Sequence, residues 1–152
     1  MTSATGEAFV RNATERLMVM QKSRGLQGAT IVIPGQTPSQ KNNKQIIPSK
    51  PPRLVDNAIV KKWRDNTAKY LKDTYKDNLR DKQVIAVYTF YLKDRVRRDI
   101  DNMISSCNDA LVQSGILSDD NWKILRIGGA EATVDKDNPR AEIVLFEDEW
   151  DV

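Results

Sequence analysis

The chain has 152 residues, 39% hydrophobic and 30% charged, with a net charge of +3, one cysteine and no histidine. That size and balance fit one domain with its own core, and no apolar run approaches the roughly 20 residues of a membrane span. Without histidine, and with Cys107 alone, the chain excludes histidine general bases, Ser–His triads, histidine-containing or four-cysteine zinc sites and an intrachain disulfide. A lone thiol fits a cytoplasmic setting, and the acid-bearing start MTSATGEAFVRNATERL has no apolar stretch of the secretory kind.

The first predicted element is an amphipathic helix in GEAFVRNATERLMVMQKSRG, with Phe9, Ala13, Leu17 and Met20 at helical spacing and Gly25 and Gly28 as breakers. ATIVIPG reads as a short strand ended by Pro34-Gly35. The following QTPSQKNNKQIIPSKPPR is a polar, basic, proline-rich loop, long enough to be functional or disordered. VDNAIVKKWRDNTAKYLKDTYKDN predicts a helix with Asp56 as N-cap and Ile59, Trp63, Tyr70 and Leu71 near one stripe. QVIAVYTFYL is apolar on both alternations, so it predicts a central strand covered on both faces.

DIDNMISSCNDALVQSG predicts a second helix with Ile100, Met103, Ile104, Cys107 and Leu111 on its apolar face and Gly115 just past its end. WKILRIGGAEATV reads as a strand bulged at Gly128-Gly129, and RAEIVLFE as a last strand. The order predicts an α/β (α+β) fold, a mixed β-sheet with helices packed on it. The expected division is a helical extension over 1–28, the main domain over 29–147 and an acidic tail over 148–152.

Chemistry concentrates in RVRRDIDN, Arg95 to Asn102, which sets three arginines against two aspartates at a strand-to-helix junction. Residues i and i+2 of an extended chain point to one side, so Asp99 and Asp101 can converge if the helix starts only near Asp101. SDDN adds Asp119 and Asp120 after the helix; their return toward Asp99 requires the next strand to run beside the central one. Magnesium takes hard oxygen ligands, a few carboxylates and several waters, and polarises a phosphoryl oxygen. Arg95, Arg97 and Arg98 would hold a phosphate backbone by charge-assisted hydrogen bonds. The plain alternative is that the aspartates cap a helix and turn a loop, beside a solvated basic face.

The segment RRDIDNMISSCNDALVQSGILSDDNWKI resembles the RusA family of Holliday junction resolvases. The shared elements are Arg97, Arg98, Asp99, Asp101, Asn102, Asp109-Ala110-Leu111, Gly115 and Asp119-Asp120. IVIPGQTPSQKNN is similar, more loosely, to the family's first strand and loop. The resemblance implies a compact homodimer that cuts four-way DNA junctions by paired nicks, with Mg2+ (or Mn2+) held by Asp99, Asp101 and Asp120, and Asp119 beside them. It implies in-line attack of water, leaving a 5′-phosphate and a 3′-hydroxyl. The family is often carried by phages.

One position departs. The family carries a catalytic lysine four residues after the second aspartate, and here that residue is Ser105. Lys123, Lys41 and Lys44 are the candidates to replace its charge. Lys41 and Lys44, in a basic loop, also read as phosphate contacts. Trp63 and Trp122 read as core or dimer residues rather than base-stacking platforms. Three readings stand: an active endonuclease, a junction-binding dimer that lost catalysis with the lysine, and a structural domain whose aspartates are only caps.

Overall fold

The structure is a computed structural model. It describes residues 28–39, 44–49, 51, 53–76 and 79–152, with only the backbone described for 44–47 and 53–56. The helix expected between Gly6 and Gly25 lies outside the described residues.

The elements are β1 (Gly28–Pro34), β2 (Lys44–Ile47), β3 (Arg53–Asp56), α1 (Ala58–Thr74), β4 (Gln83–Leu92), α2 (Ile100–Ser114), β5 (Leu125–Val134) and β6 (Arg140–Asp148). Four strands form one mixed sheet in the order β1-β6-β4-β5. The β1–β6 and β6–β4 ladders are antiparallel, and β4–β5 is parallel. A parallel neighbour cannot be reached by a tight turn, and α2 supplies the crossover. The long basic loop is not structureless, for β2 and β3 pair antiparallel within it.

Strand β4 is central, as its doubly apolar pattern predicts. Val84, Ala86, Tyr88 and Phe90 face the helices and meet Leu71 of α1 and Met103, Cys107 and Leu111 of α2. Deleting such a fully buried leucine costs about 2–5 kcal/mol. The bulge falls at Gly128, where the β4–β5 register slips between Ala86 and Val87. A Cβ there would lie 2.9 Å from Ile85 Cγ2, so the strand can pass this close only as glycine.

Two helix readings need correction. The N-cap of α1 is Asn57, because Asp56 is still paired in β3. The buried stripe of α1 is Val60, Thr67, Ala68 and Leu71; Ile59 stands 68% exposed, since the helix is rotated to set Val60 inward. On α2, Met103, Cys107 and Leu111 are buried as expected, whereas Ile100 stands 39% exposed at the first turn. Gly115 ends α2 in the left-handed region at φ 86°, where glycine is least strained.

Candidate functional site

The site begins where β4 ends. Leu92 leads into a seven-residue connection that closes on itself around Asp94. The Asp94 carboxylate accepts from the Val96 amide at 3.0 Å and from Arg98 Nη1 at 2.7 Å. Arg98 Nη1 also reaches the Val96 carbonyl at 3.2 Å, and only 9% of the Arg98 side chain is exposed. These bonds hold the Asp94 carboxyl below its ordinary range, Arg98 being the first cause and the Val96 amide the second. Arg98 is therefore folded back as a clasp on the loop instead of reaching into solvent. Arg95 and Arg97 are exposed on the same connection.

Asp99 follows as the N-cap residue of α2, with extended backbone at φ −86° and ψ 125°. Its carboxylate makes no capping hydrogen bond and is exposed. Asp101, in the first turn, is exposed as well, and its Oδ1 accepts from the Asn102 amide at 2.9 Å. Ser105 lies one turn on and is exposed. The loop after β1 is tied to this end of the sheet. Gln36 Oε1 accepts from the Lys93 amide at 2.8 Å. Ser106 Oγ is within reach of the Pro38 carbonyl at 3.2 Å and the Asn102 carbonyl at 3.1 Å, donating to one at a time. Beyond that loop, Lys41 lies outside the described residues, and Lys44 opens β2 with its side chain undescribed.

The second acidic group sits past the C-terminus of α2. Asp119 accepts from the Asp120 amide at 2.7 Å and from Asn121 Nδ2 at 2.9 Å, and these bonds lower its carboxyl. Asp120 goes the other way: partial burial raises it first, followed by the Asp119 carboxylate and then Asp109. Asp109 is half-buried on α2. The sequence marks Asp109 only as part of the shared Asp109-Ala110-Leu111 element and not as a site residue, although Asp101, Ser105 and Asp109 recur at i, i+4 and i+8. Trp122 is 65% exposed, which rules out a place in the core. Lys123 Nζ lies 5.9 Å from the Trp122 ring centre. Trp63 is half-buried against the core.

Strand β5 does run beside β4, but the parallel crossover leaves the two acidic groups apart. Asp101 and Asp109 are eight residues apart on α2, a rise of about 12 Å. Among the described residues no three acidic, cysteine or histidine side chains are grouped to hold one metal ion. Asp99 with Asp101, and Asp120 with Asp119 and Asp109, form two separate acidic groups. Both offer hard carboxylate oxygens, the donor set that suits Mg2+.

Between the two acidic groups α2 is anchored by a buried polar pair, the Tyr88 hydroxyl donating to Asn108 Oδ1. Burial, above all, raises the Tyr88 hydroxyl and keeps it protonated. An asparagine inside the apolar stripe of α2 was the available signal for this pair. Among the described residues no helix is long and apolar enough to cross a membrane.

Two comparisons bear on this arrangement. A family model described as endodeoxyribonuclease RusA matches residues 34–145. A crossover junction endodeoxyribonuclease RusA of Aquifex aeolicus (strain VF5) is 32% identical over 89 residues, which cover 55% of this chain and 66% of that relative. The match spans just under two thirds of the relative's length. The matched residues run from the end of β1 into β6 and contain both acidic groups and the crossover that separates them. On the extent of that match, the chain belongs to the RusA endodeoxyribonuclease family.

Proposed function

We propose that this chain is a metal-dependent endodeoxyribonuclease that resolves four-way DNA junctions by paired phosphodiester cleavage, working as a homodimer. The observation that carries the reading is the Asp99 carboxylate. It occupies a capping position, makes no cap, and stands exposed two residues before Asp101 and just after the exposed Arg95 and Arg97. A helix-capping role would use that oxygen on the amides of the first turn.

Asp99, Asp101 and Asp120, with Asp119 beside them, would hold Mg2+, which Mn2+ can replace. When bound, the ion supplies Lewis acidity at a phosphoryl oxygen and a more acidic water. Arg95 and Arg97 bind and orient the phosphate backbone by charge-assisted hydrogen bonds. Arg98 acts through Asp94, fixing the connection that presents Asp99. In the hydrolysis, a water oxygen bonds to phosphorus as the P–O3′ bond breaks, leaving a 3′-hydroxyl and a 5′-phosphate. The rise of about 12 Å along α2 between the two acidic half-sites favours a site completed between two copies. Lys123, exposed near Asp120, is the described cation best placed to stand in for the family lysine; Lys41 and Lys44 are the others.

Ser105 favours a second reading. With no cation one turn beyond Asp101, the chain would bind junctions and not cut them. Single-turnover incubation of a four-way junction and a matched linear duplex, with Mg2+ and with chelator, separates the two. Nicks confined to the junction and to the Mg2+ arm support the nuclease. Salt-sensitive junction binding without nicks under Mg2+ or Mn2+ supports the binder. Equal and negligible binding of both DNAs rejects both readings.

A further inference from the structure

A groove of about 500 Å³ lies between the C-terminal ends of α1 and α2. Lys72, Lys76 and Arg80 line it from α1 and the segment that follows, and Gln113, Ser114 and Ser118 from the end of α2. Among the described residues no acid lines it. Ser118 directly precedes Asp119, so the groove opens beside the second acidic group. Its walls are tied in place. The Tyr75 hydroxyl accepts from the Val32 amide of β1 at 2.8 Å. The Leu79 amide donates to the Ile116 carbonyl at 3.1 Å, and Gln113 Nε2 donates to Asp65 of α1 at 2.9 Å, which joins the two sides.

Free carbonyls at a helix C-terminus carry partial negative charge and would favour a cation here. In this groove they are engaged. The Leu71 carbonyl accepts from the Tyr75 amide at 2.9 Å, Val112 from the Gly115 amide at 3.0 Å, and Leu111 from Ser114 Oγ at 2.8 Å. The lysine charges are not engaged. Lys61 bonds to Asp65 at 2.7 Å and Lys82 lies 3.9 Å from Glu147, whereas among the described residues the exposed Lys72 and Lys76 enter no ion pair. Pockets for small molecules are lined mainly by apolar and aromatic side chains with few polar groups. A cationic rim beside hydroxyl and amide groups suits phosphodiesters instead.

We propose that this groove holds backbone phosphates of the DNA arm that runs past Asp119 and Asp120, with Lys72 and Lys76 as the contacting cations. The inference rests on the DNA-binding part of the function proposed above and holds whether the chain cuts junctions or only binds them. Lys62 and Lys69 also expose charge on α1, but neither lines the groove. They separate a local phosphate contact from the general field of a basic helix.

The test measures binding of the full chain to a four-way junction over a series of salt concentrations, in chelator so that cutting does not intervene. It compares wild type with two double variants of equal charge change, Lys72→Ala with Lys76→Ala and Lys62→Ala with Lys69→Ala. The slope of log affinity against log salt should fall by about 0.9 for each groove lysine and stay at the wild-type value for the outer pair. Lys72→Gln with Lys76→Gln, which keeps long polar side chains, should lose the same slope and melt with wild type. An unchanged slope in the groove variants, or an equal fall in both pairs, would overturn the proposal. A wild type that binds neither junction nor duplex would instead remove the DNA-binding reading itself, and the groove contact with it.

Discussion

At the start of α1, Asn57 lends its side-chain oxygen to the amides of Ile59 at 3.1 Å and Val60 at 3.3 Å. At the start of α2, Asp99 occupies the equivalent position with a similarly extended backbone, yet its carboxylate bonds to neither of the corresponding amides. A cap of this kind is worth about 1 kcal/mol, and aspartate is among the best residues for it. One helix start spends its polar side chain on local stability; the other leaves a charged oxygen pointing outward. The connection before Asp99 is meanwhile tightened by Arg98 on Asp94, so the uncapped end is not a loose one. The contrast teaches that a residue type alone does not distinguish a cap from a ligand. What its side chain bonds to does.

The two ends should therefore respond in opposite ways to substitution. The largest expected effect is on cleavage at α2. Changing the surroundings of a metal ligand costs about 10–100-fold, so losing a ligand should cost more than about 100-fold. Asp99→Asn should thus abolish junction cleavage while shifting stability by no more than about 0.5 kcal/mol. A loss of more than about 1 kcal/mol in chemical denaturation would mean that Asp99 is structural after all.

Next comes the cation. Ser105→Lys restores charge one turn beyond Asp101 and should raise the single-turnover rate by about 10-fold or more, up to the roughly 100-fold of one well-placed electrostatic group. An unchanged rate would locate the working cation elsewhere, with Lys123→Ala as the following test. Asn57→Ala at α1 is the mirror case. It should cost about 1 kcal/mol in stability and leave the cleavage rate per folded molecule intact.

Arg97→Ala should weaken junction binding a few-fold and reduce the salt slope by about 0.9 for each lost phosphate contact. Arg98→Ala should leave that slope unchanged, because its guanidinium is engaged with Asp94. Equal slopes for the two variants would erase the division of labour between these neighbours.

The smallest effect is on pH. The Asp94 carboxyl is lower in the fold than in the unfolded chain, so its contribution is complete above the ordinary carboxylate range. It is lost as pH falls through that range to the depressed folded value. Asp94→Asn should flatten this part of the stability profile measured from pH 6 to pH 2. A variant profile parallel to wild type would show that the clasp carries no such linkage.

Much of the fold was legible in periodicity. The doubly apolar QVIAVYTFYL could be buried on both faces only as a central strand, and Gly128-Gly129 marked the bulge. The rotation of α1 was not legible, because Ile59 and Val60 are equally apolar neighbours and tertiary packing chose the second. The hairpin in the basic loop was hidden by its prolines and lysines, which mask two four-residue strands. At the site, Asp99, Asp101, Asp119 and Asp120 stood out in sequence and all are exposed. Their grouping was not readable, because it depends on the direction of β5. A parallel β5 sends Asp120 past the C-terminus of α2, close to Asp109 and away from Asp99. The engagement of Arg98 was equally hidden, since three arginines in four residues look alike until one finds a carboxylate.

The central claim is that the exposed carboxylates at the start of α2 serve a metal ion that cuts DNA. The most direct measurement compares wild type with Asp101→Asn for Mg2+-dependent cleavage of a four-way junction, alongside thermal melting of both. The account predicts cleavage by wild type, loss of more than about 100-fold in the variant, and coincident melting curves. Equal cleavage by both proteins, or cleavage by wild type that persists in chelator, would contradict it.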